Sequence, residues 1–143
     1  MKKVILVLLM GLFGAKLWAE KEPAHHSHSH HQHGQLEVSG LDKPPKVVIK
    51  LHPDAMSGWN LEVITENFEF APEQVNQPHQ PGKGHAHLYI DGKKIGRLYS
   101  HWRHINGVAT GKHRIKVTLN SNDHQDYTVK GQTVGHELEF IQK

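Results

Sequence analysis

His85-Ala86-His87 places two imidazoles on one side of an extended segment, the spacing by which a β-strand offers a metal chelate without bending its backbone. Ligation by imidazole needs two to four neutral rings converging at about 2 Å from one ion. Further ligands lie downstream. Ser100-His101-Trp102-Arg103-His104 follows the segment that would pair with His85–Ile90, and Asn120-Ser121-Asn122-Asp123-His124 closes a later apolar-alternating run with one imidazole and one carboxylate. The preferred set from spacing is therefore His85, His87, His104 and His124. Surface histidines scattered in a histidine-rich chain are the competing reading of the same residues.

The chain has 143 residues, 15 histidines and no cysteine. Histidine is about a tenth of the total, several times its usual share. The missing thiol excludes a disulfide framework, cysteine zinc fingers, iron–sulfur ligation, a thiol nucleophile and a blue-copper thiolate. Met56 is the one methionine beyond the first twenty residues, too little thioether for a Cu(I) carrier. Imidazole without thiolate favours Cu(II), Zn(II) or Ni(II), and copper binds tightest in that series. His113 and His136 share a face with aliphatic residues and read as core-edge histidines with backbone partners. His52, His79 and His101 fall in loops or at strand ends. No Ser/His/Asp order, carboxylate pair or phosphate-binding glycine loop stands out, so no catalytic residue is assigned.

The elements that must hold these side chains are strands. Val47, Ile49 and Leu51 alternate, as do Trp59, Leu61 and Val63, whereas Phe68 and Phe70 fall on the opposite parity, which predicts a bulge or bend near residues 65–67. Prolines 72, 78 and 81 mark a loop. His85 to Ile90 is a strand followed at once by Asp91-Gly92, a strong hairpin signal, with residues 95–99 as its partner. Residues 113–120, 127–129 and 133–140 supply the rest, and residues 99–104 fit a single helical turn. About seven strands at 8–12-residue spacing predict an all-β fold, an immunoglobulin-like or cupredoxin-like β-sandwich.

Two segments precede that domain. Residues 1–19 have a basic start, an apolar run of about a dozen residues and a small residue at Ala19, the pattern of a secretory signal peptide. Removing it takes away Lys2, Lys3 and Lys16 and no acid, so 17 basic residues become 14 against 14 acidic ones. The mature chain is neutral, which leaves no case for nucleic-acid binding. No cysteine follows the apolar run to carry a lipid anchor. The expected location is the periplasm. Residues 20–46 read as a disordered arm in which His25, His26, His28, His30, His31 and His33 capture metal loosely, ahead of a sandwich domain at 47–143. With imidazole near its ordinary pKa of about 6.5, acid below about pH 6 would release that load.

The strings Gly84-His85-Ala86-His87-Leu88-Tyr89-Ile90-Asp91-Gly92, Gly111-Lys112-His113 and Val117-Thr118-Leu119-Asn120 with Asn122-Asp123-His124 resemble a group of small exported bacterial proteins. These have a G-H-x-H-L-Y-x-D-G hairpin ahead of an L-N-x-N-D-H strand. The resemblance covers roughly residues 58–136. It implies an immunoglobulin-like sandwich linked to metal handling, chiefly copper, and makes His85, His87, His113, Asn120, Asp123 and His124 signature positions. Asn67-Phe68-Glu69-Phe70-Ala71-Pro72 is distantly similar to the N-F-x-F-x-P segment of cupredoxins, although their electron-transfer copper requires the cysteine this chain lacks. CopC-type copper carriers are the nearest functional analogue.

Three functions follow. One is a periplasmic metal-binding protein for buffering, resistance or delivery, copper favoured and zinc next, with metal ions as cargo and a periplasmic transporter or acceptor as partner. Another is a structural or accessory sandwich module with incidental histidines. The third is a copper enzyme, disfavoured because a monooxygenase-type site needs a mature N-terminal histidine. Only cleavage after Ala24 would supply that, against Glu22 at −3.

Overall fold

A computed structural model describes residues 34–143. The expected signal peptide and the six arm histidines, within residues 1–33, lie outside these described residues. Among them the fold is all β: β1 (Gln35–Glu37), β2 (Lys46–Pro53), β3 (Trp59–Glu66), β4 (Glu69–Phe70), β5 (Lys83–Ile90), β6 (Lys93–Leu98), β7 (Trp102–Ile105), β8 (Gly111–Asn120), β9 (Asp126–Val129), β10 (Gln132–Thr133) and β11 (Gly135–Gln142). One turn of 3-10 helix at Pro72–Gln74 interrupts the series.

The alternation read from the sequence becomes two faces. β8 turns Ile115, Val117 and Leu119 inward, β5 turns in Ala86 and Leu88, β2 Val47 and Ile49, and β3 Leu61 and Val63, all buried in one core with Tyr127 and Phe140. β2, β3 and β7 form a three-stranded sheet. The larger sheet has eight strands, with β8 between β5 on one side and β11 and β9 on the other. His136 on β11 bridges the two sheets, its Nδ1 accepting the Ile49 amide at 3.3 Å.

The parity slip at residues 65–67 is a change of sheet. β3 belongs to the small sheet, Asn67 takes φ 53°, and β4 pairs in parallel with β5 of the large one. Asp91 and Gly92 both have positive φ, 50° and 77°, the backbone of a two-residue type I′ hairpin whose twist suits the flanking strands.

Two expectations differ. The arm was bounded at residue 46, yet β1 pairs in parallel with β9, and Val38 is buried in the core. Low hydrophobicity in 34–46 hid this, because β1 is held by backbone pairing and by Glu37. That carboxylate accepts from the amides of Ser39, Lys130 and Gly131 and from the Ser39 and Thr128 hydroxyls. The helical turn foreseen at 99–104 is instead a bend followed by strand β7, whose pairing with β3 over Trp59–Glu62 overrides the weak local signal.

Candidate metal centre

The hairpin β5–β6 and strand β8 build the site. β5 lies antiparallel to β8 with His85 opposite Asn120 and His87 opposite Thr118. The close crossing depends on Gly84: a Cβ there would run into the Asn120 carbonyl oxygen and the Ser121 Cα. The glycine ahead of the His-x-His pair thus lets β5 pass the end of β8 and sets the two imidazoles at that depth.

His85 and His87 are fully buried, and their Nε2 atoms face each other at 3.0 Å. Lys94 Nζ also lies 3.0 Å from His87 Nε2. An ammonium can only donate, so His87 Nε2 presents its lone pair there. Burial is the main cause that pushes the Lys94 amine below its ordinary pKa, with Arg97 adding to it and Asp126 opposing. The His124 ring packs against His85 with centroids 5.2 Å apart, and Tyr99 lies 5.7 Å from His85 by the same measure. His124 sits in the β8–β9 turn at φ 69°, and its Nε2 lies 2.6 Å from Asn76 Oδ1. The sheet beneath is polar: Thr118 Oγ1 donates to Asn120 Oδ1 at 3.2 Å, and Asn120 Nδ2 donates to Asp126 Oδ1.

The separation is that of a hydrogen bond between the two rings and is also compatible with two ligands of one ion. At metal–nitrogen distances of about 2.0–2.1 Å, two ligands at a right angle bring their nitrogens about 2.9 Å apart and a tetrahedral pair about 3.3 Å. The observed 3.0 Å lies between these values. Among the described residues no group of three His, Asp or Glu side chains stands ready-assembled around one point.

Of the candidate ligands within the described residues, His85, His87 and His124 come together, whereas His104, His113 and Asp123 do not join them. His104 lies on β7 in the other sheet, exposed, its Nδ1 3.1 Å from Asn60 Oδ1. The chain bends at Ser100–His101 and crosses sheets, so the loop after the hairpin partner leads away from the pair. His113 lies at the start of β8, beyond the Ile90 end of β5. Its Nδ1 is 2.7 Å from Asp91 Oδ2 and its Nε2 2.8 Å from the Ala109 carbonyl. Asp123 caps its own turn, accepting from the Ser121 hydroxyl and from Gln125 Nε2 at 2.8 Å. Burial raises its pKa, but those two hydrogen bonds, its own amide and the nearby His79 together bring the net shift down. His52 pairs with Glu62 at 2.9 Å, His101 Nδ1 lies 2.8 Å from the Val63 carbonyl oxygen, and His79 packs on Tyr127.

Sequence reasoning missed Lys94, Tyr99 and Asn76. Lys94 was within reach of it: a two-residue turn at 91–92 sets Tyr89 opposite Lys94 and so brings Lys94 diagonally beside His87. Asn76 comes from the proline-rich loop and had no periodic signal. Comparison with protein-family models, with curated proteins and with solved structures found no match.

Proposed function

We propose that this is a periplasmic metal-binding protein, taking Cu(II) by preference and Zn(II) next, for buffering, resistance or delivery. The observation that carries the reading is the buried His85–His87 pair with its Nε2 atoms 3.0 Å apart. The chemistry is capture rather than catalysis. His85 and His87 supply two imidazole nitrogens from one strand, and His124 packs against His85 as a third imidazole. The six histidines of the arm gather metal loosely, since no fixed geometry selects an ion and each binding event must order the chain. Transfer from arm to sandwich, and from sandwich to a transporter or acceptor, follows the order of affinity.

The test is a competition titration of the full exported chain with Cu(II) and Zn(II), with the six arm histidines replaced by serine. One tight equivalent that disappears in His85→Ala and His87→Ala supports the reading; no tight equivalent sinks it. The accessory-module reading has its own support in the Lys94 ammonium against the pair and in the lack of a ready three-ligand group among the described residues. It expects both alanine variants to bind metal as the parent does.

A further inference from the structure

The two sheets part at their open edge, between β6 and β7, and leave a cavity of about 490 Å³, within the range of roughly 300–1,000 Å³ that small-molecule sites occupy. Its floor is core: Leu88 and Ile105, both almost fully buried. Its walls are Ile90, Ile95 and Val108, and Ile95 is 49% exposed, an aliphatic side chain left open to solvent at the mouth.

The unpaired charge around the mouth is positive. Lys93 and Arg103 stand on the two facing strand edges, and neither forms an ion pair among the described residues. The lone carboxylate in the lining, Asp91, is already taken up by His113 and by the Arg114 amide at 2.9 Å. An apolar floor thus meets an uncompensated cationic rim, and water filling the floor would find few partners.

We propose that this edge cavity binds a small amphiphile, an apolar chain with one anionic head, the chain seated on Leu88 and Ile105 and the head between Lys93 and Arg103. Apolar burial supplies the affinity, and the rim sets the sign of the head. The site lies on the core side of β5, opposite the face that carries His85 and His87, and does not depend on metal binding.

The experiment is calorimetric titration of the full exported chain, in EDTA, with decanoate, decanol and decyltrimethylammonium below their aggregation concentrations. Decanoate is expected to bind once and saturably, and the cationic amphiphile about fivefold or more weaker, the scale of an exposed ion pair turned into a like-charge contact. Arg103→Glu, at an exposed position, should weaken decanoate to a similar degree, and Val108→Trp should abolish it by filling the cavity. If Val108→Trp loses its β circular dichroism, Ile95→Asp at the mouth takes its place with the same expected loss. Equal binding of the cationic amphiphile overturns the proposal. So do undiminished decanoate affinity in Arg103→Glu or in the folded cavity variant, and the absence of saturable decanoate binding.

Discussion

Lys94 Nζ and His85 Nε2 stand at the same distance, 3.0 Å, from one atom, His87 Nε2. The lone pair that a metal would use is therefore already approached by a cation. Any ion that binds the pair has to displace the ammonium or tolerate its charge a few ångströms away, and Asp126 is the nearby carboxylate whose field favours the charged lysine. Lys94→Met keeps the aliphatic stem and removes the charge. It is expected to tighten Cu(II) binding about tenfold, or about 1.4 kcal/mol, the scale of one unit charge in a partly solvated setting. Competition titration of the two proteins measures it. Unchanged affinity would mean the lysine does not compete, and weaker binding would make its amine a ligand.

Gly84 tests how the pair is held. Gly84→Ala drives a methyl group into the backbone of Asn120 and Ser121, which no side-chain rotation relieves. The strands must part, at an expected cost of about 3 kcal/mol in urea unfolding, in the range of overpacked sites. Because β5 and β8 move relative to each other, the variant should also lose tight metal binding even where it stays folded. A variant with parental stability would show that the crossing has slack.

Periodicity carried most of this architecture. The alternating runs at 47–51, 59–63, 85–90 and 113–120 became strands with the expected faces inward, because a one-residue slip would bury Lys50 or Lys116 in place of Ile49 or Val117. What it could not convey was which sheet each strand joins. His104 has the right residue type and spacing, but β7 pairs with β3, and that long-range choice is absent from any local window. The pair His85 and His87 was legible since both share one strand. His124 followed because antiparallel pairing sets Asn120 opposite His85 and the next turn brings the chain back beside it. Asn76 approaches from a loop whose course depends on the whole fold, as with the Asn76 amide donating to the Asn122 carbonyl at 3.0 Å.

His113 joins the hairpin tip to the loop before β8, and both its ring nitrogens face acceptors, Asp91 Oδ2 and the Ala109 carbonyl. Only the imidazolium can donate from both. The hydrogen bond to Asp91, then that to Ala109, raises its pKa, and Asp91 is lowered chiefly by the same contact. A raised folded value means that the histidine's contribution is full below the unfolded value of about 6.5 and is lost as pH rises through the folded one. The gap in melting temperature between the parent and His113→Gln is therefore expected to be widest near pH 5–6 and to narrow toward pH 8–9. A gap that widens with pH would contradict the charged bridge.

Glu37 supplies the opposite dependence. The Ser39 hydroxyl, then the Gly131 and Ser39 amides, hold its carboxyl at about 2. These bonds fasten β1 to the β9–β10 turn, since Lys130 and Gly131 belong to that turn and Thr128 to β9. With the folded value below the ordinary 4.5, the stabilisation is complete above about pH 4.5 and is lost as pH falls toward 2. Glu37→Gln keeps the shape but not the charge. Its melting temperature should lie below the parent's by a constant margin from pH 7 to 5, and the margin should close between pH 4.5 and 2. Amide hydrogen exchange should find the lost protection concentrated in β1 and at Lys130 and Gly131. Protection lost evenly across both sheets would mean that β1 is held by the core through Val38 rather than by this carboxylate.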